Sequence, residues 1–342
     1  MNIARIFAAV TLFAWCLPAP AFAWGAKGHT IISRLAARDL AGVLPAFVTS
    51  SDGAYEIAYL GPEMDRIKGA GQSWDGDYDP GHYVDFRDDG TIAGVVSAAS
   101  MPADREAYDT ALRGVQTDQY RQGYLPYEIL DGWEQLREDF AYWRVDDYAA
   151  GHDATPVQRS EAERDRAIMQ RVVLQDLGVW SHFVGDGSQP LHVSVHFNGW
   201  GNFPNPENFT QSHETHSAFE SEFVNRYVSE SQVAQLVKNS TMPAPTALSP
   251  QSDVMAAIVK YLEDSRAAVP QLYRIEKRGG FAGGSPDAVA FAAGRLAAGV
   301  MALRDLTVWA WQDSAFASVG YPEVRVPDVL SGRAAWPPHA GD

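Results

Sequence analysis

The stretch Ser160–Asp186, SEAERDRAIMQRVVLQDLGVWSHFVGD, decides the fold. Within it Val173, Leu177, Trp180 and Val184 recur at intervals of four, three and four residues. That places all four on one face of an α-helix. Ser160, with Glu163 three residues on, makes a capping box and predicts the helix start. Similar periodicity runs through Thr30–Leu40, Asp104–Val115, Tyr127–Trp143, Thr215–Val228, Val254–Val269 and Pro286–Gln312. The last is rich in alanine but interrupted by Arg295 and Arg304, the pattern of a buried core helix rather than a membrane span. Strand signals are weak, and short runs such as Gly81–Phe86 have little to pair with. Two long irregular stretches, Lys68–Pro80 and Val193–Gln211, read as loops that are either functional or disordered. The expected architecture is a single all-α domain over 24–325 with long loops, followed by a loosely held tail over 326–342.

Composition narrows the function classes. The chain has 342 residues, 46% hydrophobic and 20% charged, which is too apolar for a disordered protein. A single cysteine, Cys16, excludes a disulfide scaffold. The net charge of −16 argues against a protein that grips nucleic acid by a basic surface. It leaves room for one that handles phosphate through metal ions. The first 23 residues carry Arg5, an apolar run from Ile6 to Leu17, and small residues at Ala21 and Ala23. These are the parts of a secretory signal peptide. The run is too short to cross a bilayer of about 30 Å as a helix. The chain is therefore expected to be exported, to the periplasm or outside the cell, without a transmembrane segment. Cleavage after Ala23 removes Arg5 and Cys16, makes the chain cysteine-free and frees the amine of Trp24.

The histidines are clustered. Nine occur, and five of them fall between positions 182 and 220. His182 and Asp186 lie four apart at the end of the long periodic helix, so both project from one face. His216 and Glu220 repeat that spacing on a second predicted helix, and His192 lies between the two pairs. Helical proteins build multinuclear metal sites from such pairs. Imidazole with carboxylate, and no thiolate, suits zinc, iron or manganese. A lone His/acid pair on a helix is ordinarily a surface ion pair. Spacing by itself therefore leaves both a metal site and ordinary ion pairs open. His196 and His213 have no acid four residues on and receive no role.

The segment Ser181–Val193, SHFVGDGSQPLHV, resembles the motif H-[FY]-[ILV]-G-D-x-x-Q-P-[LM]-H of a zinc enzyme superfamily. That superfamily holds the single-strand-specific nucleases of the mung bean nuclease type and the bacterial zinc-dependent phospholipases C. Trp24–His29, WGAKGH, is similar to the family's mature N-terminus, whose first residue binds metal through its amine and carbonyl. Asp65, with Lys68 three residues on, and His82 in GHYVD match two further family motifs. The resemblance implies an almost wholly helical fold with three zinc ions. Asp65, His82, His182 and Asp186 would hold the first. His192, His216 and Glu220 would hold the second, and Trp24, His29 and Asp186 the third. Asp75, Asp77 and Asp79 lie in the same loop as Asp65 and offer alternative carboxylates.

The implied chemistry is phosphodiester hydrolysis to 5′-phosphates by a zinc-bridging hydroxide. Asp65 would assist as a base and Lys68 would contact the phosphate. Two substrates follow from the two branches of the family: single-stranded nucleic acid or nucleotides, and phospholipid. The nucleases have Asp where this chain has Glu220, and the phospholipases have Glu. Gly199-Trp200-Gly201-Asn202 is similar to the Gly-Gly-Asn turn of the nucleases and favours nucleic acid. Tyr83, Trp200 and Asn202 are the candidate substrate contacts, with packing the ordinary alternative for each aromatic. A non-catalytic helical metal-binding protein is a third possibility, and no protein partner is implied.

Overall fold

The computed structural model describes residues 24–68, 71–152, 155–238 and 251–336. The proposed signal peptide, 1–23, lies outside the described residues. The fold is all-α, as expected. Nine helices of nine or more residues occur among the described residues: α1 Gly25–Asp39, α2 Ser51–Leu60, α3 Arg105–Arg113, α4 Leu125–His152, α5 Pro156–Gly187, α6 Glu230–Lys238, α7 Gln251–Arg266, α8 Val269–Lys277 and α9 Pro286–Ser314. The described strands are two antiparallel pairs of two residues each, Thr91–Ile92 with Val96–Ser97 and Ser318–Val319 with Val324–Arg325.

Helices α4 and α5 form the central pair, and α1, α2 and α9 pack around them. The predicted face of α5 is the one that is buried: Val173, Leu177, Trp180 and Val184 all sit in the core. Close approach of α4 and α5 depends on Gly132. A Cβ there would overlap the ring of Trp180, whose Nε1 donates to Ile129 O at 3.0 Å. Gly132→Ala is therefore expected to destabilise the fold by about 1–3 kcal/mol. The gain of about 1 kcal/mol in helix propensity does not offset that. Urea unfolding measures it, and an unchanged or raised midpoint would contradict the packing.

Several boundaries differ from the sequence expectation, each for a physical reason. Helix α5 starts four residues before Ser160. Thr155 is the cap, Gln158 completes the box, and Pro156 occupies the first turn, where its missing N–H costs nothing. The expected helix 254–269 ends at Arg266, because Pro270 cannot continue the hydrogen-bond ladder and instead sits in the first turn of a separate helix, α8. The expected helix 215–228 is helical without a gap from Thr215 to Tyr227, but a π-helical turn over Ala218–Phe223 interrupts its α-helical register. The expected loose tail is packed over its described part. Val326–Leu330 is helical, Val326 and Val329 are buried, and Trp336 Nε1 donates to Asp146 Oδ1 at 2.9 Å.

Helix α9 is long and apolar enough to cross a membrane by length and composition. In the structure it lies against α1, α4, α5 and α6. Its two arginines are satisfied there. Arg304 pairs with Asp39 at 2.9 Å, and Arg295 donates to Ser188 O and Ser265 Oγ.

Candidate metal centre

The last turns of α5 carry the centre. His182 and Asp186 leave the same face of the helix and are both fully buried. The hydroxyl of Ser33 on α1 meets that of Ser181 at 2.7 Å and so docks α1 beside this turn. Docking brings His29 of α1 against His182, ring on ring at 3.9 Å. Beyond α5, Pro190–Val193 forms a single 3-10 turn that swings His192 back toward Asp186. A second 3-10 turn, Asp79–His82, supplies His82. A third, Met64–Arg66, supplies Asp65. The π-helical turn after His216 sets Glu220 beside it.

Asp186 is the hub. Its Oδ1 lies 3.4 Å from His29 Nε2 and 3.9 Å from His192 Nδ1. Its Oδ2 lies 3.4 Å from His182 Nε2 and 3.8 Å from His82 Nδ1. Asp65 reaches His182 Nε2 at 3.7 Å and His29 Nε2 at 4.0 Å. On the far side Glu220 Oε2 approaches His216 Nε2 at 2.8 Å and His192 Nε2 at 3.5 Å. Three groups have ligand atoms close enough to share an ion: His29, His182 and Asp186; Asp65, His82 and His182; and His192, His216 and Glu220.

Every histidine and acid among the sequence candidates for metal is thus brought together. The third group matches the set expected for the second ion. The first two groups share His182, where the resemblance makes Asp186 the shared ligand; Asp186 falls in the group with His29 and still lies 3.8 Å from His82 of the other. Of the acids in this loop, Asp65 is the one buried in a ligand group; Asp77 is exposed, Asp75 accepts from Gly71 N and Gln72 N, and Asp79 is half-buried at the wall of the cavity described below. Trp24 is fully buried beside the centre. Its indole N–H donates to Gly185 O and Ser188 Oγ, on either side of Asp186 and Gly187.

Three of the histidines are oriented by backbone carbonyls. His182 Nδ1 faces Gly61 O at 2.9 Å, His192 Nδ1 faces His82 O at 2.7 Å, and His216 Nδ1 faces Phe197 O at 2.9 Å. A carbonyl can only accept, so each ring carries its proton on Nδ1 and turns the lone pair of Nε2 into the cluster. That is the arrangement of a metal-ligating histidine with its outer partner. Yet both oxygens of Asp65, both of Asp186, both nitrogens of His82 and the Nε2 of His182 are buried without a hydrogen-bond partner. Leaving such groups unsatisfied costs about 1–3 kcal/mol each, and more for charges. Divalent ions would satisfy them together, so the residues fit a metal centre.

The electrostatics describe the same site from the other side. Burial lowers His82 and His182 well below the ordinary histidine range and lowers His192 to about 4. Neutral imidazole is the ligating form. Burial raises Asp65 to about 7 and Asp186 well above the carboxylate range. Burial also pushes Glu220 up, but with a proton on the Nε2 of His216 and His192 beside it their attraction would outweigh that and hold it at about 2; a dication between them would take the place of those protons. A bound dication reverses the logic at Asp65 and Asp186 by stabilising the charged form.

A cavity of about 470 Å³ opens against His192 and His216 and is lined by Lys68, Asp79, Tyr83, Asp85, Arg121, Phe197 and Asn198. Lys68 and Tyr83 are thus placed at the centre's mouth. Trp200 and Asn202 are not. Trp200 is buried, stacked on His196 at 3.7 Å and packed on Phe209 and Tyr273. Asn202 is exposed and does not line the cavity. Asn198 takes the place expected for Asn202. Its Oδ1 accepts from His216 N at 3.2 Å, and the residue lines the cavity. Its position follows from the path of the loop, for which the sequence carries no periodic signal. Asn198→Ala is expected to weaken zinc retention by the His216 group by about tenfold, the equivalent of one hydrogen bond of about 1.4 kcal/mol. Asn202→Ala is expected to leave zinc retention unchanged. Equal effects in a side-by-side assay would remove Asn198 from the site.

Comparison with protein-family models finds no match to this chain, and comparison with curated proteins finds none either.

Proposed function

We propose that this protein is an exported, zinc-dependent phosphodiesterase with three metal ions that cleaves single-stranded nucleic acid to 5′-phosphate products. One observation carries the proposal: a buried set of five histidines and three carboxylates, with unsatisfied atoms turned inward, meets a cavity walled by Lys68 and Tyr83. A closed structural zinc site uses four ligands, and this set exceeds that. Ions held there supply a nucleophile from water near neutral pH and neutralise charge on phosphoryl oxygens.

The chain's own groups divide the remaining work. Lys68 offers a cation to a phosphate oxygen at the cavity wall. Asp65, buried three residues before Lys68, is the candidate base. The ring face of Tyr83 offers a base a stacking surface, worth about 1–3 kcal/mol where it is used. Trp24 holds the turn before Asp186, so a processed chain that begins at Trp24 places its terminal amine beside the centre. One residue added before Trp24 is expected to cost activity sharply, and unchanged activity would remove the terminus from the site.

A second reading, a phospholipase C, is favoured by Glu220, the acid that the phospholipases carry at this position. Assays on single-stranded DNA, RNA and phosphatidylcholine under one set of conditions separate the two. Cleavage of the polynucleotides is expected, and cleavage of lipid alone would overturn the nuclease assignment. Metal binding without hydrolysis of any of the three would leave the non-catalytic alternative.

A further inference from the structure

The nearby histidine that belongs to no metal group has both ring nitrogens engaged elsewhere. His196 is buried, 1% exposed. Its Nδ1 lies 2.8 Å from Trp200 O, and its Nε2 lies 3.0 and 3.3 Å from the two oxygens of Asp88. Its ring stacks on Trp200 at 3.7 Å. Its backbone is held as well. Its carbonyl accepts from Tyr273 Oη on α8 at 2.7 Å, and its N–H donates to Ser194 Oγ at 3.1 Å. One residue thus ties the irregular 193–211 loop to α8, to the Asp88 segment and to the loop's own far arm.

The next two residues hold a metal-centre histidine. Phe197 O faces His216 Nδ1 at 2.9 Å, and Asn198 Oδ1 accepts from His216 N at 3.2 Å. The side chain of Phe197 is 51% exposed, so packing does little to fix its carbonyl. That carbonyl is bracketed instead. His196 fixes one side. Gly199 fixes the other, with φ +87 and no room for a Cβ between it and the backbone of Gln211.

We propose that His196 is a positioning residue for the third metal group: it clamps the loop so that Phe197 and Asn198 present His216 Nε2 to His192 and Glu220. The proposal rests on the metal reading above. Without the His196 ring, the Trp200 carbonyl and Asp88 lose their shared donor and the loop can shift. His216 then loses the acceptor that sets its tautomer and its ring plane. Loss of such an outer partner typically weakens a metal site 10- to 100-fold. A residue that merely packs would lower overall stability and leave all metal affinities alike.

The test is zinc retention in full-length processed protein titrated with a chelator, alongside thermal unfolding. Four proteins are compared: wild type, His196→Phe, Asp88→Asn and His216→Ala. His196→Phe keeps the stack on Trp200 and loses both ring hydrogen bonds. Asp88 is 64% exposed, so its variant is expected to fold even if His196→Phe does not. Wild type is expected to hold three zinc ions. His196→Phe is expected to hold one of them 10- to 100-fold more weakly and the other two unchanged, and Asp88→Asn to weaken the same one severalfold. His216→Ala should empty that site outright and identify it. Three ions at wild-type affinity in His196→Phe would overturn the proposal, whatever its melting temperature. If only Asp88→Asn folds, three ions at wild-type affinity there would overturn it equally. A wild-type chain that binds no zinc would remove the underlying metal reading, an outcome visible without any variant.

Discussion

Replacing Asp186 with alanine is expected to abolish hydrolysis, by roughly a thousandfold or more, the rate equivalent of about 4 kcal/mol. No other group touches so much of the centre. Its two oxygens lie within 4 Å of His29, His82, His182 and His192, from four separate stretches of chain. Taking it away removes the acid of the His29 and His182 group, which also faces His82 and His192, and leaves buried imidazoles facing one another. Two of the three ions are expected to go with it, while the His192, His216 and Glu220 group keeps its own. Metal content and turnover measured on the same preparation check this. An alanine variant that kept three ions, or near-normal turnover, would contradict the hub assignment. Asp186→Asn should be nearly as damaging, because the carboxamide keeps the shape but loses the charge.

Stripping the metal is expected to destabilise the fold. An ion at a hundred times its dissociation constant stabilises the native state by about 2.7 kcal/mol, so three contribute about 8 kcal/mol. For a chain of this size roughly 2 °C of melting temperature accompanies each kcal/mol, giving a fall of about 15 °C. The physical cause is on view at Asp65, His82 and Asp186, whose polar atoms are buried and unsatisfied in the absence of a cation. With a single cysteine, Cys16, the chain can form no internal disulfide to take over that role. A melting curve with and without chelator measures the effect, and zinc added back should restore the curve. Identical curves would show that these side chains hold nothing that matters to folding.

The all-α class was legible because α5 and its neighbours bury one face at helical spacing, and burial of that face is what makes them helices. The i,i+4 spacing of His182 with Asp186 was legible for the same reason. His216 with Glu220 was found by the same rule, although the turn that follows is π-helical rather than α-helical. Periodicity gave no help at the ends of elements. The start of α5 lay in Thr155-Pro156, outside the apolar pattern. The end of the chain looked loose because of its prolines, yet Pro327 sits in the first turn of a helix and Val326 and Val329 bury beneath it.

The candidate metal ligands were legible, and the cavity wall only in part: Lys68 and Tyr83 line it as expected, but Trp200 and Asn202 of the loop do not. Ligands must be histidine or carboxylate, so residue type narrows the choice. A wall residue is chosen by the path of an aperiodic loop. Trp200 and Asn202 were reasonable candidates by type, but the loop turns Trp200 into the core against His196 and brings Asn198 to the cavity instead.

The central claim is a centre of three metal ions built by these side chains. Diffraction from crystals of the processed chain grown with zinc, recorded at the zinc absorption edge, tests it most directly. The account predicts three anomalous peaks, within about 2.0–2.2 Å of nitrogen or oxygen atoms from the ligand groups that meet at Asp186, His182 and Glu220. Absence of peaks there, or zinc found only on exposed acids elsewhere, would contradict it.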